Sequence, residues 1–150
     1  MKVRRAAGSD LEAIVALQRA AYAPNRLVLG VEPLPLQADY ADIMRRMEVW
    51  LAESRDKTTI EGVLILEQRA DDLLVWSIAT DPARQSVGLG RSMLQWAEQR
   101  ARELGRTVMR LYTGTLLVER VAWYRRHGFD VERIEQMPDR STTHMIKRLS

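Results

Sequence analysis

Two glycines lie in a short segment that could bind an anion. The segment reads QSVGLG from Gln85 to Gly90, and it precedes an amphipathic stretch that we predict to be a helix beginning near Arg91. Glycines at 88 and 90 let the backbone adopt positive φ and approach a ligand closely. The first N–H groups of a helix have no partner within it, and the helix dipole adds positive charge there. The pattern predicts a site for a phosphate or pyrophosphate, with a purely structural loop as the alternative.

Two other phosphate-binding motifs fail on local grounds. A P-loop would continue with Gly-Lys-Ser or Gly-Lys-Thr, whereas Gly90 is followed by Arg91 and Ser92. A dinucleotide fingerprint would need a small residue where Met93 stands, and its glycines would follow the strand at once. The segment therefore belongs to neither motif.

A strand and a helix must position this segment. Residues Leu73–Thr80 (LLVWSIAT) are apolar on both faces, which is typical of a central strand covered on both sides. Asp81 and Pro82 end this strand, and we predict a loop over residues 83–90. The elements predicted beyond it are a helix Ser92–Leu104, a strand Thr107–Thr113, a helix Leu116–His127, and a closing hairpin of Asp130–Gln136 and Thr142–Leu149.

The N-terminal half is predicted to add a helical layer and a hairpin. Ser9 and Glu12 have the spacing of a capping box, so we predict a helix that ends before Pro24. Residues 24–36 hold three of the five prolines and are predicted to be a long loop. The other elements are a first strand within Met1–Ala6, a short helix capped by Asp39, and a hairpin of Glu48–Glu53 and Thr59–Gln68. The order β-α-α-β-β-β-α-β-α-β-β predicts a mixed α/β sheet in one domain, residues 1–150.

Composition and charge exclude several classes of site and partner. The absence of cysteine excludes a disulfide framework, a thiolate nucleophile and a cysteine-ligated zinc site. His127 and His144 are the only histidines, so we expect no metal. The net charge is +3 and the arginines are spread among acidic residues, so nucleic acid is not an expected partner. With no signal peptide and no apolar run near the roughly 20 residues of a membrane span, we expect a cytoplasmic protein without a membrane partner.

At this point the motifs resemble a known family. Ile78–Pro82 followed by Gln-x-x-Gly-x-Gly at 85–90 resembles the acyl-CoA loop of the GNAT superfamily of N-acetyltransferases. Leu111–Thr113, then a helix ending in Trp123–Phe129, is similar to the family's fifth strand, fourth helix and Tyr-x-x-x-Gly-Phe corner. The segment Met145–Leu149 resembles its last strand, and the predicted element order is the GNAT order. The resemblance spans essentially the whole chain and implies a GNAT-like acyltransferase fold.

The resemblance implies acetyl-CoA as the co-substrate. Its pyrophosphate would bind the backbone N–H groups near Gln85 to Arg91, and its pantetheine arm would pair with Ile78–Thr80 where the fourth and fifth strands separate. Tyr124 matches the tyrosine that serves as general acid in many members, although a buried core tyrosine is the alternative. The expected cofactor contacts are Ile78, Ala79, Thr80, Gln85, Ser86, Val87, Gly88, Leu89, Gly90, Arg91, Ser92, Arg120, Tyr124 and Arg125.

Three positions depart from the family pattern. Gly114 and Arg120 stand where related sequences commonly have asparagine, so Arg120 or Arg125 could reach a phosphate in place of the usual contact. Leu74 stands roughly where some members have a catalytic glutamate, and it cannot act as a base. We expect a water chain to an acid instead; the candidate bases are Asp72, Glu67 and His144.

The expected reaction is direct transfer of the acetyl group of acetyl-CoA to a primary amine of a small molecule or protein, within a ternary complex. A backbone N–H near Ile78 would stabilise the oxyanion. The residues predicted to line the acceptor site are Tyr22, Arg26, Tyr40, Trp76 and Tyr112, with Arg26 a candidate for binding a carboxylate. The alternative function is a non-catalytic CoA-binding sensor or regulatory module. A homodimer is possible.

Overall fold

In the computed structural model, which describes residues 2–84 and 88–150 (Arg84 as backbone only), seven strands form one sheet. The strands are β1 Lys2–Arg5, β2 Glu48–Glu53, β3 Ile60–Gln68, β4 Leu73–Thr80, β5 Val108–Gly114, β6 Asp130–Gln136 and β7 Ser141–Arg148. The helices are α1 Leu11–Tyr22, α2 Asn25–Leu29, α3 Leu34–Gln37, α4 Tyr40–Arg46, α5 Leu89–Glu103 and α6 Val118–Arg126.

The sheet order is β1-β2-β3-β4-β5-β7-β6. Neighbouring strands are antiparallel except for β4 and β5, which run parallel because α5 connects them across one face. The final hairpin inserts its second strand, β7, between β5 and β6. The predicted mixed α/β sheet is therefore confirmed, and β4 has the bounds that its apolar run predicted.

Helices cover both faces of the sheet. One hydrophobic cluster joins α5 and α6 to the sheet and includes Met93, Ala97 and Phe129, while a second joins α1 and α4 to the other face. Gly62 of β3 lets α5 approach closely, because a Cβ there would lie 2.6 Å from the sulfur of Met93. The two layers hold β4 between them, which explains its double-sided apolar sequence.

Two predictions for the N-terminal half were wrong. Ser9 does not cap α1; it lies in a 3-10 turn, where the Asp10 carboxylate accepts a 2.7 Å hydrogen bond from the Ala7 N–H. Residues 24–36 are not a continuous loop, because they contain α2 and the start of α3. The prolines lie before or within the first turn of these helices, where a missing N–H costs nothing.

The start of α5 also differs from the prediction. The helix begins at Leu89, three residues before the predicted Ser92, so Gly90 lies in its first turn. Gly88 precedes it with φ +85°, a conformation that favours glycine. Gly90 does not share this positive φ.

Candidate active site

The parallel strands β4 and β5 separate along their length. They pair through Leu73 with Met109 and Leu74 with Arg110. Further along, Trp76 is an extra residue in β4, since Ser77 pairs with Ile65 while Val75 pairs with Leu66. Such a bulge bends a strand and increases its twist. A cleft therefore opens between the carboxyl ends of the two strands.

Backbone groups of β4 face this cleft. The Ile78 carbonyl accepts a 2.8 Å hydrogen bond from Arg120 Nη2 of α6. This bond lies on the edge of β4 that faces the cleft, opposite the edge that pairs with β3. The Asp81 N–H instead donates to Glu61 O on the β3 side at 2.9 Å. Because successive residues of a strand direct their N–H and C=O to opposite edges, Ile78 and Thr80 present theirs to the open side.

A large cavity of about 920 Å³ continues from the cleft to the first turn of α5. The first N–H bonded within this helix is that of Ser92, which donates to Gly88 O at 2.9 Å, so the N–H groups of the preceding turn have no helical partner. The predicted residues that line this cavity are Tyr22, Ile78, Ala79, Thr80, Gly88, Leu89, Gly90, Arg91, Arg120 and Tyr124. Lining residues that the sequence did not suggest are Ala21, Asn25, Val28, Pro82, Leu116, Leu117, Val118, Glu119 and Trp123.

Five expected cofactor contacts remain, of which three fall outside the described residues and two lie away from this cavity. Gln85, Ser86 and Val87 are outside the described residues. Ser92 does not line the cavity, and Arg125 is exposed on α6. The cavity is therefore built from the end of β4 and the N-terminal turns of α5 and α6, with α1 and α2 beside them.

A second, narrow cavity of about 80 Å³ lies deeper between β4 and β5. The predicted acceptor residues Tyr22, Trp76 and Tyr112 line it, together with residues of α2 and α3. Gly114 allows α2 to pack closely over this cavity, because a Cβ at 114 would lie 2.6 Å from Leu29 Cδ2. The two cavities share Tyr22, Asn25, Ile78, Leu117, Arg120 and Tyr124.

Tyr124 lies at the junction of the cavities and is 5% exposed. Burial raises the pKa of its hydroxyl, and the nearby Arg120 guanidinium opposes this shift in pKa without cancelling it. Tyr124 therefore remains protonated at neutral pH and can act as a proton donor.

Arg120 lies one helical turn before Tyr124 on the same face of α6. Its guanidinium carbon is 5.8 Å from the centre of the Tyr22 ring. All twenty acidic residues fall within the described parts of the chain, and no ion pair found there involves Arg120. A positive charge without a protein counter-ion thus borders both cavities.

Residues 45–131 match the family model described as an acetyltransferase (GNAT) domain, which is more than half of the chain. The chain belongs to the GNAT acetyltransferase family. This confirms the resemblance predicted from the acyl-CoA loop and the Tyr-x-x-x-Gly-Phe corner, and it makes the protein an acetyl-CoA-dependent N-acetyltransferase. No curated protein is significantly similar to it in sequence.

Solved structures of GNAT acetyltransferases share the fold. The PaiA N-acetyltransferase from Thermoplasma acidophilum in complex with coenzyme A is 18% identical, with a TM-score of 0.80 and coverage of 98% of both chains. The ribosomal-protein-S18-alanine N-acetyltransferase from Escherichia coli is 19% identical, with a TM-score of 0.78, over 99% of this chain and 94% of that one. A GNAT family acetyltransferase from Elizabethkingia anophelis with acetyl-CoA bound is 15% identical, with a TM-score of 0.77, over 99% of this chain and 97% of that one.

Two predicted acceptor residues of this GNAT acetyltransferase do not line either cavity. Arg26 is exposed, and its Nη2 forms a 2.9 Å ion pair with Glu32. The Tyr40 hydroxyl donates to Pro35 O at 2.7 Å and accepts from Gln18 at 2.9 Å, which ties α3 and α4 to α1. Burial raises the pKa of Tyr40 to about 12.

The three candidate bases also lie outside both cavities. Burial alone would raise the pKa of Asp72, but its bonds from Arg69 and Arg110 outweigh burial and hold that pKa below the usual range. Glu67 is paired with Leu74 in the sheet. His144 Nε2 lies 2.9 Å from a Glu135 oxygen. Among the residues that the structure describes, no carboxylate lines the narrow cavity.

Two further findings concern partners of this GNAT domain. Within residues 2–84 and 88–150, no helix has the length and apolar character needed to span a membrane. The same residues contain no group of three or more His, Cys, Asp or Glu side chains placed to hold a metal ion.

Proposed function

We propose that this GNAT acetyltransferase transfers the acetyl group of acetyl-CoA directly to a primary amine held in the narrow cavity. The observation that carries the proposal is the position of Tyr124 at the junction of the two cavities. One cavity ends at N–H groups of the first turn of α5 that have no helical partner and suit a phosphate, and the other is a small pocket suited to an acceptor.

The large cavity is the proposed site of coenzyme A. The pyrophosphate would bind the N–H groups of Leu89, Gly90 and Arg91, which have no partner within the helix, with Gly88 leading into it. The pantetheine arm would lie along the open side of β4 and pair with the backbone of Thr80 and with the Ile78 carbonyl, as an added strand pairs with a sheet edge, which leaves the Ile78 N–H for the reaction. Arg91 would provide positive charge close to the phosphates.

In the proposed reaction, the amine nitrogen attacks the thioester carbonyl carbon. The tetrahedral oxyanion would accept a hydrogen bond from the Ile78 N–H, which faces the cleft. The carbon–sulfur bond then breaks, and the thiolate takes the proton of the Tyr124 hydroxyl. The proton released from the amine passes to water, since no carboxylate lines the narrow cavity of the described residues, and water then returns a proton to Tyr124.

An acceptor screen tests this proposal. Purified protein is mixed with acetyl-CoA and a panel of primary amines, release of free thiol is followed, and the N-acetylated product is identified by mass spectrometry. We expect product with at least one amine, and CoA to compete with acetyl-CoA. Tight CoA binding without product from any amine would contradict the proposal and favour a CoA-binding regulatory module.

A further inference from the structure

We propose that Arg120 binds a carboxylate on the acceptor, and that the acceptor is an α-amino acid with a small apolar side chain. This inference rests on the proposed function and names the substrate class of the same site. It transfers to Arg120 the carboxylate-binding role that the sequence suggested for Arg26, whose guanidinium is already paired with Glu32.

The first step is the unmatched charge of Arg120. Its guanidinium borders both cavities, donates from Nη2 to Ile78 O, and interacts with the hydroxyls of Tyr124 and Tyr22, none of which is a carboxylate. A guanidinium has five N–H donors, and its planar edge fits a carboxylate in a bidentate arrangement. A partly buried charge is costly when it lacks a partner. An anionic group on a ligand would supply the counter-ion that the protein does not.

The second step is the character of the narrow cavity. Its walls are mainly aliphatic and aromatic, with Leu29, Leu34 and Trp76 among them, and they include no acidic residue in the described chain. Its other charged residue, Arg140, is already bonded to Asp139 and to Glu32 O. With a volume of about 80 Å³, the cavity suits one small apolar side chain. A second ammonium group on the acceptor would meet two guanidinium groups and no carboxylate.

The third step is the geometry of an α-amino acid. Its amine and carboxylate share one carbon, so a carboxylate held by Arg120 places the amine beside the junction where Tyr124 and Ile78 meet. The guanidinium charge also disfavours the ammonium form and lowers the pKa of the bound amine. This increases the neutral nucleophile in a cavity that offers no carboxylate base. A simple alkylammonium would meet the same repulsion without the compensating ion pair.

The test compares three acceptors that differ in the group beside the amine: L-valine, L-valinamide and 2-methylpropylamine. We expect the wild-type kcat/KM for L-valine to exceed that for L-valinamide by about 10- to 100-fold, the value of a charge-assisted hydrogen bond. In Arg120→Gln this ratio should fall to near one, and Arg120→Lys should retain part of it. Arg126→Gln is the matched control, because Arg126 is on the same helix but exposed and outside both cavities.

The outcomes separate this inference from the proposed function. An equal loss for all three acceptors in Arg120→Gln, or a weaker affinity for CoA in titration calorimetry, would assign Arg120 to the cofactor and overturn the inference. Wild-type preference for the amide or the plain amine, or turnover of other amine classes alone, would overturn it as well. If Arg120→Gln fails to fold, Arg120→Lys tests the assignment to Arg120, and the wild-type ratio still tests whether the acceptor carboxylate is recognised. Absence of product from every amine would instead contradict the proposed function.

Discussion

The Asp72 carboxylate accepts a 2.8 Å hydrogen bond from Arg110 Nη1, beside the two residue pairs that join β4 to β5. Arg69 donates two further bonds of 2.7 Å to the same carboxylate. This ion cluster fastens the two strands at the end where they are paired. The cleft that leads to Tyr124 opens at the other end, so the cluster fixes the point from which the strands diverge.

Asp72→Asn should therefore destabilise the fold without removing a catalytic base. Asp72 is buried, but its partners Arg69 and Arg110 are 41% and 32% exposed, so loss of the carboxylate charge should cost roughly 2 kcal/mol in the free energy of unfolding, which urea titration measures. At a temperature where the variant is folded, the pH dependence of kcat should keep its shape. Asp139→Asn is the control, since the Asp139–Arg140 pair has an exposed carboxylate and should contribute at most about 1 kcal/mol. A variant of normal stability with an altered pH profile would restore Asp72 as a base.

Replacement of Tyr124 by Phe should lower kcat by about 100-fold or more, the usual size of a lost general acid. The affinity for CoA should be unchanged, as measured by titration calorimetry. Because burial raises the pKa of Tyr124 above its ordinary value, the wild-type enzyme should keep this proton donor to a higher pH than a solvent-exposed tyrosine would allow. Tyr40→Phe is the control: it should cost about 1 kcal/mol of stability through lost hydrogen bonds while kcat stays within a few-fold. Equal effects of the two variants on kcat would argue against proton donation.

Gly88→Ala and Gly90→Ala should have opposite effects on stability. Gly88 has φ +85°, so alanine there should cost about 1–2 kcal/mol and weaken CoA binding. Gly90 lies in the first turn of α5, where a Cβ would make an ordinary 3.6 Å contact with Trp123. Alanine at 90 should therefore stabilise the helix by about 0.5–1 kcal/mol. Thermal unfolding measures both effects, and equal destabilisation would contradict the assigned start of α5.

Glu48 should make stability depend on pH. It joins β2 to α5 through bonds from Arg100 of 2.9 and 3.0 Å, and it also accepts from Trp50 and Gln68. Burial opposes ionisation, but these bonds outweigh burial and lower the pKa to about 2. Because the folded pKa lies below the unfolded value, the stabilisation is full above about pH 4.5 and is lost as pH falls toward 2.

The measurement for Glu48 is the difference in unfolding free energy between wild type and Glu48→Gln. We expect roughly 3 kcal/mol at neutral pH, shrinking as pH falls through that range. Glu103→Gln is the matched control, because Glu103 contacts the same Arg100 from an exposed position and should contribute at most about 1 kcal/mol. A difference that stays constant with pH would show that the Glu48 charge is not the source of the stability.

Local sequence determined most of the elements and the chemical family. The apolar run of β4 fixed a buried central strand, and the glycine segment with the Tyr124 corner indicated the acetyltransferase family. These features are readable because periodicity and backbone requirements act over a few residues. The helices α2 and α3 were missed because proline at the start of a short helix resembles proline in a loop.

Tertiary structure decided which charged and aromatic residues border the two cavities. The sequence suggested Arg26 for a carboxylate and Arg120 for the cofactor, and it did not single out Arg140. The fold pairs Arg26 with Glu32, bonds Arg140 to Asp139, and leaves Arg120 beside Tyr124 without a carboxylate. Whether a charge is neutralised depends on residues brought together from distant parts of the chain. The sequence therefore determined the kind of chemistry, and only the packing of the sheet, α2 and α6 decided which side chains can take part in it.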